Sequence, residues 1–263
     1  MTTNTTTMRT DKTASLVALA GALMLGGPAD AEDREWIVAP YLWGADTSLD
    51  VLVRNDPVFS GDLDFSDLVD KLELALQLHV ETRRDSFGLL FDVTYLETSD
   101  ALGIDATPVL PASTTVSTGA DMMMLEVGGF YRASGKAFGL DLLLGVRTID
   151  LDVDVEIVPP TPLNPRTVDG SASLVDGFLG LRYLVPLGDR WLLTLRGDAG
   201  AGDSDLSWNA SALFGYCFGE NDRFNVLLGY RHFAVEYDTT DQGLPIEVDM
   251  SMSGPQLAFA FRF

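Results

Sequence analysis

The sequence predicts an all-β protein, a closed antiparallel transmembrane β-barrel of ten strands. Three observations carry that reading. From Trp36 onward, long segments alternate bulky apolar residues with small or polar ones, the period of a strand with one greasy face. No stretch approaches the eighteen or so unbroken apolar residues of a membrane helix, and a closed barrel is the other structure that satisfies every backbone group in hydrocarbon. Tight turns follow the even-numbered segments and longer connections the odd ones, as in barrels threaded through a membrane. An even count brings the first and last strands together; eight and twelve are the alternatives, because segment ends are read only to within a few residues.

The chain opens with a secretory signal. Arg9 and Lys12 supply a positive n-region, Ala14 to Leu25 an apolar run too short to span a bilayer, and Ala29-Asp30-Ala31 a cleavage pattern. Residues 1–31 are therefore expected to be removed, leaving residues 32–263 as one barrel domain. The first strand is expected from Trp36 to about Val53. Phe65, Leu68 and Leu72 then fall at helical intervals behind Ser66, a suitable N-cap, and predict a short helix in the first extracellular loop.

The second strand carries Leu72, Leu74, Leu76, Leu78 and Val80 on one row. After Arg84-Asp85-Ser86, Phe87, Leu89, Phe91, Val93 and Tyr95 form the third. Leu125 to Tyr131, then Phe138 to Val146, supply the next hairpin around Ser134-Gly135-Lys136. Val175 to Tyr183 and Trp191 to Leu195 follow around Leu187-Gly188-Asp189. Trp208 to Phe218 and Phe224 to Tyr230 flank Gly219-Glu220-Asn221-Asp222. The closing strand sets Leu257, Phe259, Phe261 and Phe263 against Ala258, Ala260 and Arg262. Aromatic residues gather near strand ends (Trp36, Tyr131, Tyr183, Trp191, Phe218, Phe224, Phe263), where an interfacial girdle belongs.

An aromatic residue closing such a strand resembles the terminal signature of Gram-negative outer-membrane β-barrels. The pattern as a whole is similar to the small OmpA- and OmpW-type members, with no motif tying it to one of them. The resemblance implies outer-membrane residence after export, contact with lipid and lipopolysaccharide, and recognition of Phe259, Phe261 and Phe263 by the barrel-assembly machinery.

The chain holds 39 acidic residues against 17 basic ones, a formal net charge of −22. That balance excludes nucleic acid as a partner, since such binding needs a basic footprint. Acid concentrates in expected loops, at Asp56, Asp62, Asp64, Asp67 and Asp70 and again at Asp238, Asp241 and Glu247. These runs read as solvated surface; divalent cations at a lipopolysaccharide layer are the alternative, without calcium-loop spacing. The single Cys217 forms no intramolecular disulfide and, on the lumen row, reads as a small buried thiol. No cofactor or metal-ligand set is expected.

Alternation places Glu73, Gln77, His79, Glu81, Asp92, Glu126, Arg132, Asp141, Arg147, Asp176, Arg182, Arg196, Asp198, Asn209, Arg231 and Arg262 in the lumen. A barrel this small has an interior that side chains largely fill, and buried charges persist when paired. The expectation is a salt-bridged plug or a narrow polar passage for small solutes or ions. An enzyme is the alternative, because the ten-strand count resembles the omptin proteases and other small barrels hydrolyse lipid A. Only His79 and His232 are present to serve such chemistry, and no catalytic residue is assigned.

Overall fold

The structure, a computed structural model, describes residues 34–54, 56–64, 66, 72–99, 115–133, 138–158, 166–241 and 244–263. The expected signal segment 1–31 and the helix expected over 65–72 lie outside the described residues, apart from Ser66 and Leu72.

The strands are β1 (Glu35–Trp43), β2 (Asp46–Val53), β3 (Asp56–Leu63), β4 (Leu72–Arg84), β5 (Phe87–Ser99) and β6 (Thr115–Arg132). They continue with β7 (Gly139–Val158), β8 (Arg166–Pro186), β9 (Trp191–Gly202), β10 (Leu206–Phe218), β11 (Phe224–Asp241) and β12 (Leu244–Arg262). β1, β4 and then β5 to β12 pair in that order, and β12 returns to β1, which closes a ten-stranded antiparallel barrel. The join is made by the last residue: Trp36 N donates to Phe263 O (3.1 Å) and Phe263 N to Trp36 O (2.9 Å).

The first strand departs from expectation. It breaks at Gly44–Ala45, so that β1 pairs with β12 and β4, while β2 continues along β12 and pairs with β3 instead. Gly44 N still reaches Pro255 O (2.9 Å), and a Cβ on Gly254 would collide with the Gly44 carbonyl, so the crossing requires glycine there. Where β4 no longer supplies a backbone acceptor, the Gln77 side chain does, accepting from Trp43 N (2.6 Å).

Part of the first acidic run read as loop, and the whole of the second, is strand; Asp64 follows β3, and Asp67 and Asp70 lie outside the described residues. Asp56 and Asp62 belong to β3, and Asp238, Asp241 and Glu247 to a β11–β12 hairpin that pairs as far as Asp241 and Leu244. For the same reason the connections 203–205 and 242–243 are short, whereas those after β3, β5 and β7 are long. The β4–β5 turn is tight, with Asp85 at φ 55°, a conformation Asp tolerates better than most residues.

The outer surface explains the alternation. Leu89, Leu144, Leu179 and Leu228 are each more than half exposed around the middle of the wall. At the short-turn end lies a belt of touching rings, including Phe87 on Tyr131 (5.0 Å), Trp191 on Phe214 (4.9 Å) and Phe224 on Phe261 (5.8 Å). An apolar band of this breadth is intolerable in water and suits hydrocarbon, with the aromatics at its edge. The chain is a transmembrane β-barrel.

Candidate functional site

The inward rows of the strands meet in a belt of charge that crosses the lumen. Arg132 donates to Asp141 from Nε (2.6 Å) and Nη2 (2.8 Å). Arg182, on the neighbouring strand, also donates to Asp141 (2.9 Å) and reaches across the lumen to Glu81. Glu81 lies 2.8 Å from His79 Nε2, and His79 Nδ1 lies 2.9 Å from Asp92. Tyr41 donates its hydroxyl to Asp92 (2.7 Å) and accepts from Arg231 (3.3 Å), whose Nε donates to Asn209 (2.9 Å). Asn209 donates to Asp198 (3.1 Å), where Arg196 (2.8 Å) and Arg147 converge. Glu126 completes the belt, accepting from Arg147 (2.9 Å) and Arg196 (2.7 Å).

These groups are withdrawn from water. Glu126, Asp141 and Arg147 have no exposed surface. Charges so placed persist because nearly every lone pair and N–H finds an opposite partner, and the guanidinium fork suits carboxylates. Aromatic faces supply the rest. Arg147 lies 5.1 Å from both the Phe178 and Phe233 rings, Arg182 sits 4.8 Å from Phe130, and Arg231 4.6 Å from Trp43. Inward glycines make room: a Cβ on Gly145 would stand 2.7 Å from the Phe178 ring.

One inward step toward the long-strand end, the lumen turns apolar. Trp43, Met122, Met124, Ile149, Phe233 and Met252 head a buried cluster contributed by β1, β5 to β8, β11 and β12. The sequence reading expected charge to fill the lumen and missed this layer. Its signal was available in Leu96, Met122 and Met124, apolar residues on the row that also carries Asp92 and Glu126. Toward the short-turn end the interior instead opens into a cavity of about 170 Å³, whose deep wall includes Glu81, Arg182, Arg196 and Arg231.

The residues assigned to the lumen divide as follows. His79, Glu81, Asp92, Glu126, Arg132, Asp141, Arg147, Arg182, Arg196, Asp198, Asn209 and Arg231 are in the belt. Asp176 is buried but stands apart, accepting from Ser204 N (3.0 Å) and Oγ (2.6 Å). Arg262 lies at the rim, paired with Glu35 (2.8 Å), a partner sequence reasoning missed, as it missed Tyr41. The Glu73 side chain is outside the described set. Phe259, Phe261 and Phe263 all face outward and are exposed. Cys217 is half-buried.

Each histidine has hydrogen-bond partners of its own. His79 has both ring nitrogens committed to carboxylates. His232 lies on the outer wall, with Nδ1 2.5 Å from Ser253 Oγ and its ring 4.4 Å from Trp208. Among the described residues, no carboxylate bonds to it, and the Trp208 contact suits an interfacial anchor. Among the described residues, no three His, Cys, Asp or Glu side chains converge to hold a metal ion.

No protein-family model and no curated protein matches the sequence. Solved structures with a similar course include the outer membrane protease OmpT from Escherichia coli, at 10% identity over 90% of this chain and 99% of that one, with a TM-score of 0.49. The translocator domain of the autotransporter NalP from Neisseria meningitidis is 12% identical over 96% and 98%, at 0.44. The outer membrane protein OprG from Pseudomonas aeruginosa is 11% identical over 88% and 96%, at 0.29. The fold assignment rests on this chain's own strand pairing.

Proposed function

We propose that this chain is an outer-membrane barrel, exported through the secretory pathway, whose lumen is sealed. Its role is that of a rigid membrane-embedded scaffold, with no enzymatic activity. The observation that carries this reading is the order of layers along the axis: apolar cluster, then crossed charge belt, then a cavity at the short-turn end. An ion entering from the long-strand end would meet a dry apolar stratum and then carboxylates already neutralised by arginine. Both obstacles are costly to displace. The acidic strand extensions and long connections suit the cell exterior, and the short turns and aromatic ring suit the periplasmic side.

The narrow-passage reading predicts a continuous polar path, and the apolar layer argues against one. Reconstitution into liposomes tests the choice. A sealed barrel leaves vesicles loaded with an impermeant polymer stable when they are diluted into a small-sugar solution. Swelling at a rate proportional to protein content would establish a passage. Hydrolysis of a peptide or of lipid A, abolished by His232→Ala or His79→Ala, would establish an enzyme.

A further inference from the structure

We propose that the cavity at the short-turn end is a binding site for a small oxyanion, phosphate being its simplest representative, taken up from the periplasmic side. Only the sidedness rests on the sealed-barrel reading; the binding chemistry stands on the cavity itself. The chain as a whole repels anions, with its net charge of −22. Inside this cavity the balance reverses. At the rim, Arg83, Arg223 and Arg262 face two carboxylates, Glu35 and Asp222. Glu35 is shared by Arg83 (2.5 Å) and Arg262 (2.8 Å), and Arg223 makes no ion pair among the described residues. One guanidinium therefore stands in excess at the entrance.

An unused donor stands just behind the deep wall. Arg231 is 4% exposed and bonds through Nε to Asn209 and through Nη1 to Tyr41. Its Nη2 is buried without a hydrogen-bond partner, 3.8 Å from the nearest carboxylate oxygen, that of Glu126. A buried N–H of a charged group left unpaired is expensive, and turning this guanidinium edge toward an oxygen atom in the cavity removes that cost. Asn225, also on the cavity wall, carries an amide NH₂ able to serve an anion. Ile37, Leu213 and Leu227 complete the wall with apolar surface, which thins the water and strengthens each charged hydrogen bond. A guanidinium matches a tetrahedral or planar oxyanion better than a spherical halide. The cavity volume of about 170 Å³ suits a small ion and not a polymer or lipid.

Titration calorimetry on the full barrel in detergent, at low ionic strength and with inorganic phosphate as the probe, tests the proposal. Phosphate binds the unaltered barrel. Arg231→Gln, which removes a charged donor, weakens that binding by about tenfold or more. Arg223→Gln, at the exposed rim where folding is not at stake, weakens it by a smaller factor and lowers its salt dependence. Arg190→Gln, on the outer side of the same end, leaves it unchanged. No phosphate binding, binding indifferent to both Arg231→Gln and Arg223→Gln, or equal competition by chloride each overturns the proposal. Solute leak through liposomes with phosphate binding intact would defeat the sealed barrel alone, and a sealed barrel that ignores phosphate would defeat this site alone.

Discussion

Glu126 is the residue on which the belt turns. Arg147 (2.7 Å), Arg196 (2.7 Å) and Arg231 (3.8 Å) all face it, and it has no exposed surface. Glu126→Gln leaves those guanidiniums partly uncompensated in a dry interior. We expect a loss of about 3–5 kcal/mol, read from urea unfolding in detergent or lipid. Leu144→Arg places a charge on the opposite, lipid-facing row and should cost about 2–4 kcal/mol near the bilayer midplane. That loss should appear in lipid and shrink in water-accessible micelles, whereas the Glu126 loss should persist in both. The inward row was legible because a strand's period of two sorts residues without knowledge of their neighbours. Partners were not legible. Arg182 meets Glu81 across the lumen, 101 positions away, and Asp176 finds Ser204 rather than an arginine. Pairing of that kind depends on strand stagger, which alternation does not encode.

Among the elements, the ten-strand ring and its tight turns were readable, and the broken first strand was not. Trp43, Ala45 and Leu49 all pack inward, so the alternation stays in phase across Gly44–Ala45 and reads as one strand. β3 escaped notice because Pro57 and Gly61 interrupt a short acidic segment, and both weaken a strand pattern. The β11–β12 extension was hidden by its polarity, with Asp238 opposite Glu247 where two carboxylates repel. The break makes its own prediction. Gly254→Ala forces a methyl against the Gly44 carbonyl, and such overpacking typically costs about 1–3 kcal/mol. Hydrogen exchange should show the loss as faster exchange in β2 and at the Gly44 amide, with β6 to β8 unchanged.

For the whole molecule, an apolar exterior around a charged interior inverts the arrangement of a water-soluble protein, and stability should depend on a lipid-like surround. The barrel should migrate on gels differently before and after heating, keep a β-rich circular dichroism spectrum in detergent, and aggregate when detergent is removed. The interior carries the more consequential claim, that a crossed belt of ion pairs and a Met- and aromatic-rich layer close the lumen. Planar-bilayer recording of the unaltered protein addresses it most directly. A closed lumen passes no steady open-channel current at moderate voltage in either polarity; reproducible ohmic steps that scale with inserted barrels would show that the lumen is open.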